Sequence, residues 1–244
     1  MMANILTGLY GLYAWVLLIA CVLLTTLLLI LVPGLRRRRH VARLCARLLF
    51  RLAGIKMEIS GAPLDPEKPS VVVSNHASYL DGIILTAALP ANFSFLVKRE
   101  MMSVPIGSLL LRRLGTEFVE RFDSRRGATD TRRIMRTAGT GQGLAAFPEG
   151  TFRQEPGLGH FYSGAFSAAV HGGLPIIPLT ILGSRKILPA EKRLPVPGDL
   201  KIVVHPAIAC EAGAGREEVL RIRDAARAHI LSVLPEPDLN IKLL

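Results

Sequence analysis

The sequence predicts an α/β fold: a mixed, mostly parallel sheet covered by helices on both faces, with an N-terminal membrane helix. Three features carry that reading. From residue 55 onward, short apolar and β-branched runs alternate with helical segments, the pattern of strand–helix–strand units. Residues 9–32 carry no charge at all. No internal repeat or low-complexity segment interrupts the chain, so the sequence divides into an anchor of residues 1–54 and a single globular domain of residues 55–244.

The anchor comes first. The 24 residues from 9 to 32, at helical rise, would extend ~36 Å, enough to cross a hydrocarbon core of ~30 Å. Tyr10, Tyr13 and Trp15 lie at one end as an interfacial aromatic belt, and Pro33-Gly34 closes the other. Arg36, Arg37, Arg38, Arg39 and Arg43 follow at once. A cleaved signal peptide would carry its charges before the apolar run. The positive-inside rule therefore places the arginines and everything after them on the cytoplasmic side of an inner membrane. A helix embedded in one leaflet and returning through residues 41–52 is the rival arrangement. Within residues 41–53, Arg43, Arg47 and Arg51 stand at four-residue spacing beside leucines, the pattern of an interfacial helix on anionic lipid or of a core helix with a solvated basic face.

The globular elements follow in order. Strands are expected at residues 55–60, 71–73, 93–97, 116–120, 144–147, 175–181 and 201–205. Helices are expected at 82–89 (ended by Pro90), 102–114 despite Pro105, 128–137, 163–171 and, clearly amphipathic, 217–234. Composition permits a sizeable core, with half the residues hydrophobic. Lys+Arg 30 against Asp+Glu 19 leaves a net charge of +11, which favours anionic lipid, phosphorylated substrates or nucleic acid. The nucleic-acid reading lacks aromatic interleaving and any recognisable binding motif, so no nucleic acid is expected. Cys21, Cys45 and Cys210 are scattered, which excludes a disulfide framework and offers no metal-ligand spacing. No metal and no resident cofactor are expected.

Two polar turns carry the chemistry. Asn75-His76-Ala77-Ser78-Tyr79-Leu80-Asp81 sits where a strand gives way to a helix. One helical turn could return the Asp81 carboxylate to His76, fixing the imidazole tautomer and freeing Nε2 as a general base. Equally, Asn75 and Ser78 could cap the helix and leave His76 a surface residue. The second turn is Phe147-Pro148-Glu149-Gly150-Thr151-Phe152. Gly150 would let backbone N–H groups approach an anion, Thr151 adds a hydroxyl, and Glu149 suits a substrate hydroxyl or a neighbouring arginine; a plain β-turn fits the same residues. Arg121 leaves a strand end with Arg125, Arg126, Arg132 and Arg133 close behind. Guanidinium forks grip phosphate, although a solvated basic helix face accounts for most such runs.

The order of these stretches, His-four residues-Asp, then Phe118-Val119-Glu120-Arg121, then Phe147 to Thr151, then Ile177-Pro178, resembles the glycerolipid acyltransferase family, and within it the bacterial 1-acylglycerol-3-phosphate acyltransferases. The resemblance covers roughly residues 70–181. It implies that His76 is the base and Asp81 its partner, and that Arg121, Glu149, Gly150 and Thr151 hold glycerol phosphate. Lys98 matches a position near the phosphate where members often carry lysine, and Asn75 joins the substrate-binding set. It further implies acyl transfer from acyl-CoA or acyl carrier protein to the free hydroxyl of 1-acylglycerol-3-phosphate, forming phosphatidic acid. No serine or cysteine stands in a nucleophile elbow, so the transfer is expected to be direct. Two departures bear on the acceptor: Glu120 replaces a frequent Asp, and Phe161-Tyr162-Ser163-Gly164-Ala165 lacks a frequent cation. The alternatives are another lysolipid acceptor such as a lyso-ornithine lipid, a thioester hydrolase, or a non-catalytic module tethered to anionic membrane.

Overall fold

In the computed structural model, which describes residues 2–119 and 141–240, the alternating apolar runs become one seven-stranded sheet. Its strands are β1 (Met57–Gly61), β2 (Val71–Ser74), β3 (Phe93–Lys98), β4 (Glu117–Val119), β5 (Gly143–Ala146), β6 (Ile176–Leu182) and β7 (Leu200–Val204), in the order β1-β7-β6-β2-β5-β3-β4. All pairings are parallel except β6 with β7. The mixed, mostly parallel sheet of the sequence reading is therefore the fold. β2 lies at its centre, with Val71, Val72 and Val73 wholly buried.

Alternation along the strands sorts side chains into two cores. Val72 and Ala145 face a core with α2 (Leu35–Leu52) and α3 (Asp81–Ala88). Val71, Val73, Leu144 and Ala146 face the other, with α5 (Gly164–Gly172) and α7 (Arg216–Leu231). Helices thus cover both faces. The expected helix at 128–137 lies outside the described residues. The one expected at 102–114 is a short 3₁₀ turn, Arg99–Ser103, followed by α4 (Pro105–Arg113). Proline lacks an N–H and has a φ already suited to a first helical turn, so Pro105 begins the helix instead of sitting inside it.

α1 (Met2–Leu31) is long and apolar enough to cross a membrane by length and composition. It lies along the globular domain. Near its start the Tyr10 hydroxyl donates to the Ala53 carbonyl (3.0 Å) and the Trp15 indole N–H to the Arg193 carbonyl; near its end Leu29 packs with Ala42 and Leu114. Its outward face, including Leu9, Leu12, Val16, Ile19, Leu23 and Leu27, is exposed.

α2 begins at Leu35, so the helical pattern expected at residues 41–53 starts earlier and takes in the arginine run. Its polarity is partly inverted. Leu44, Leu48 and Leu52 are exposed, while Arg39 is buried and donates to the Leu114 carbonyl (2.9 Å) and to the Gln142 side chain (2.9 Å). Burial drops the Arg39 pKa to about 10. Arg47 Nε donates to the Ala87 carbonyl (2.8 Å) and Arg43 Nη2 to the Ala88 carbonyl (3.3 Å). These cations satisfy orphan carbonyls at the C-terminus of α3, where positive charge is favoured. Arg43, half-buried, and Arg47, exposed, thus brace the end of α3 through their guanidinium nitrogens. Ala46, Phe50 and Ala53 from the same segment enter the main core.

Candidate active site

Because β2, β5, β3 and β4 run parallel, their C-terminal ends share one sheet edge. The chain leaves β2 there at Ser74, and Asp81 starts α3 six residues beyond Asn75. Asp81 is wholly buried. Its Oδ2 accepts the backbone N–H of Ala77 (2.6 Å) and Ser78 (2.8 Å) together with His76 Nδ1 (2.9 Å). An ionised carboxylate only accepts, so Nδ1 is the donor, and in a neutral ring bound this way Nε2 carries the lone pair. The Ser78 hydroxyl donates to the Leu188 carbonyl (2.8 Å) and receives the Leu80 N–H (3.2 Å). The Ser78 hydroxyl thus braces the turn, while the helix starts from Leu80 without a side-chain cap, and His76, with its side chain 17% exposed, is no surface residue.

Asn75 has other work than the sequence suggested. Its Nδ2 donates to the Ile181 carbonyl (2.9 Å), and its Oδ1 accepts the Ile181 N–H (2.7 Å). Both ends of the amide are spent on the backbone of β6. Asn75 therefore clamps two neighbouring strands together just before the histidine, where a substrate-binding role was expected.

Glu149 also turns inward. Pro148 and Glu149 form a turn closed by the Gly150 N–H on the Phe147 carbonyl (3.0 Å), with Gly150 at φ 79°, where a side chain would be strained. This sends the Glu149 carboxyl beneath the site, 7% exposed. Oε1 accepts the backbone N–H of His76 (2.7 Å), and Oε2 accepts that of Gly159 (2.7 Å). A Cβ at Gly159 would come within 2.8 Å of Oε2, so only glycine allows this approach. Burial pushes the Glu149 pKa up to about 7 against the pull of the two N–H donors and Arg227. In the structure each Glu149 oxygen grips a backbone N–H, one of them that of His76.

Aromatic side chains immobilise the imidazole. Phe147 stacks on His76 at 4.2 Å and 17°, and Phe152 meets it edge-on at 4.7 Å. Tyr79 meets Phe152 edge-on in turn. Thr151 is exposed beside this group. Lys98 ends β3, half-buried, at the same edge and separated from β2 by β5. β4 ends at Val119 on that edge as well; Arg121, Arg125, Arg126, Arg132 and Arg133 lie outside the described residues. Among the described residues, no three His, Cys, Asp or Glu side chains gather as a metal site.

The sequence reading missed Arg185, Arg227 and Glu236. Arg185 forks onto Glu236 (2.9 and 3.1 Å) and donates to the Arg153 carbonyl (2.8 Å). Arg227, 7% exposed, donates to the carbonyls of Leu158 and Gly159. Nothing in the local sequence sets Arg185 and Arg227 apart from surface arginines, or Glu236 from a surface carboxylate. The whole arrangement is an oriented imidazole at a parallel-sheet edge whose Nε2 has no hydrogen-bond partner among the described residues, a group able to take a proton from a hydroxyl beside it.

A model of the family described as acyltransferase matches residues 56–182. The chain is 31% identical over 156 residues to a chloroplastic 1-acyl-sn-glycerol-3-phosphate acyltransferase of Brassica napus, covering 63% of this chain and 45% of that one. It is 31% identical over 172 residues to a lyso-ornithine lipid O-acyltransferase of Pseudomonas aeruginosa, covering 69% and 61%. The chain spans about half the length of the plant and algal relatives it matches, 44% to 50% of each. Its fold superposes on the crystal structure of the 1-acyl-sn-glycerophosphate acyltransferase of Thermotoga maritima with a TM-score of 0.77 over 95% of both chains, at 19% identity. The matched region takes in His76, Asp81 and the Phe147–Thr151 turn and exceeds half of the sequence: the chain belongs to the acyltransferase family.

Proposed function

We propose that this protein transfers a fatty acyl group from an acyl thioester to the free hydroxyl of 1-acylglycerol-3-phosphate, producing phosphatidic acid for phospholipid synthesis. The observation that carries this is the 2.9 Å contact of His76 Nδ1 with buried Asp81, which turns Nε2 away from the carboxylate as the nitrogen left to act as base. Nε2 removes the hydroxyl proton as the acceptor oxygen attacks the thioester carbonyl. The tetrahedral intermediate then collapses, the C–S bond breaks, and the thiolate of coenzyme A or acyl carrier protein leaves with the proton from His76. A base supplies ~10²–10⁴ in rate, so positioning of the acceptor must supply much of the remainder. Arg121, Lys98, Thr151 and the Gly150 turn are the groups proposed to hold the phosphate.

The site works at the cytoplasmic face of an inner membrane. The exposed apolar stripe of α1 and the outward leucines of α2 support attachment to the bilayer. Contacts of both ends of α1 with the globular part favour a helix lying in one leaflet over one standing across it. A second acceptor is supported by the lyso-ornithine lipid relative and by the missing cation in residues 161–165.

Purified protein is incubated with lysophosphatidic acid, lysophospholipids and lyso-ornithine lipid, each with acyl-CoA and with acyl carrier protein as donor, and the products are read by lipid mass spectrometry. Phosphatidic acid as the main product upholds the proposal. Acylated ornithine lipid alone moves the acceptor, free fatty acid alone indicates a hydrolase, and lipid binding without turnover indicates a membrane module.

A further inference from the structure

Residues 147–163 join β5 to α5 without a regular element, yet they carry Glu149, Gly150 and Phe152. What holds this loop comes from the C-terminal part of the chain, beyond the residues 56–182 matched by the family. The Gly157 N–H donates to Glu236 (2.7 Å), and the Leu158 N–H to the Pro237 carbonyl (2.9 Å). The Leu239 N–H returns to the Leu158 carbonyl (3.1 Å). Arg227 of α7 sits at the junction. Its two terminal nitrogens donate to the carbonyls of Gly159 and Leu158 and to Asp238, and its guanidinium lies 5.2 Å over the Phe161 ring. A continuous chain of bonds thus runs from Asp238 through Arg227 and Gly159 to Glu149, and from Glu149 to the His76 backbone.

We propose that Arg227, held by Asp238, is a positioning residue for His76: it fixes residues 158–159 against Glu149, whose carboxylate then sets the height and direction of the histidine backbone. The proposal rests on the acyl-transfer reading for its kinetic consequences but not for the linkage itself. A buried guanidinium is costly to desolvate, and an apolar helix residue would pack at that place at less cost. The charge instead faces a carboxylate that is itself nearly buried. The groups bearing on Glu149 are Arg227 from α7, Asp81 from α3, and the backbone N–H groups of His76 and Gly159. An ionised Glu149 accepts both N–H bonds more strongly than a protonated one, so Arg227 favours the form that holds the histidine best.

The test uses full-length protein and the variants Arg227→Met, Arg227→Lys and Asp238→Asn, each also made with Glu149→Gln. Infrared difference spectra between the paired proteins follow the Glu149 carboxyl through a pH titration and need no turnover. Initial rates across the same pH range separate kcat from donor KM. In Arg227→Met, Glu149 should titrate at higher pH by about one unit, the acid limb of kcat should move with it, and kcat should fall about tenfold at unchanged donor KM. Arg227→Lys should keep the titration near its original pH while losing the fork, with a several-fold lower kcat. Asp238→Asn should move the titration the opposite way, to lower pH, a sign that loss of packing alone does not produce. A folded Arg227→Met protein with unshifted Glu149 and normal kcat overturns the proposal. If Arg227→Met does not fold, Asp238→Asn decides it by the same titration. A wild-type protein that moves no acyl group would overturn the activity reading, while the infrared arm still decides the linkage.

Discussion

The two loops that build the site are held in opposite ways. In the short β2–α3 corner the His–Asp pair itself is set locally: Asp81, at the start of its own helix, caps Ala77 and Ser78 and orients His76 five residues back. The β5–α5 loop is long and depends on partners from far along the chain, with Glu149 reaching back to His76 and Arg185, Arg227 and Glu236 securing residues 153–159. Local contacts make a reactive pair; distant ones hold the frame around it. The lesson is that the chemistry and its support can be separated by mutation.

The largest effect should come from the local corner. His76→Ala should lower acyl transfer by at least ~10²-fold while leaving the thermal melt nearly unchanged. Asp81→Asn should do almost as much harm by admitting the wrong tautomer, and should also lower the melting temperature, because it loosens the bonds of Ala77 and Ser78. Near-normal turnover in either variant breaks the assignment of the base.

Glu149→Gln comes next and probes the distant frame. Its amide can accept only one of the two N–H bonds, so turnover should fall about tenfold with His76 still present. It also removes a pH dependence of stability. The folded-state pKa of Glu149 is raised to about 7 from 4.5, so the neutral form is favoured by folding. That contribution is complete below pH 4.5 and is lost as pH rises through about 7, on the order of 3 kcal/mol in all. Denaturant titrations at intervals across this window should show wild type losing stability with rising pH and Glu149→Gln staying flat by comparison. Parallel curves would mean that Glu149 does not titrate there.

Asn75→Ala sharpens the division between chemistry and support. It strands the Ile181 N–H and carbonyl in a buried place, at a cost of ~2–3 kcal/mol, or a fall in Tm of several degrees for a chain this size. Acceptor KM should hardly move; a strong rise in KM with normal stability would return Asn75 to the substrate. The smallest expected effect is Thr151→Val, a loss of one exposed hydroxyl that should raise acceptor KM a few-fold and leave stability alone. No change in KM would remove Thr151 from the phosphate site.

The same division explains what could be read in advance. Val71–Ser74 and Ile176–Leu182 announce themselves by β-branched runs, and His76 with Asp81 is legible because one helical turn spans the pair. Glu149 lies in an equally distinctive turn, but a turn pattern does not say which way its side chain points. Its direction is set by Gly159 and Arg227. Arg227 itself looks no different from Arg221 or Arg223 on the same helix, which lie on its outer side in ion pairs with Glu218 and Asp224. The α2 arginines divide for a related reason: spacing puts Arg43, Arg47 and Arg51 on one side of a helix but does not say that Arg39, one turn earlier, is buried while Arg47 and Arg51 are exposed.

The inward stripe of α2 bears on how the protein can be handled. Cutting the chain after residue 54 to obtain a water-soluble fragment would remove Ala46, Phe50 and Ala53 from the main core and strip Arg43 and Arg47 from the end of the helix that begins with Asp81. The fragment would be hollowed on one wall. Solubility would instead have to come from repainting the outer skin, by polar replacements at Leu44, Leu48 and Leu52 and along the exposed stripe of α1, leaving both helices in place.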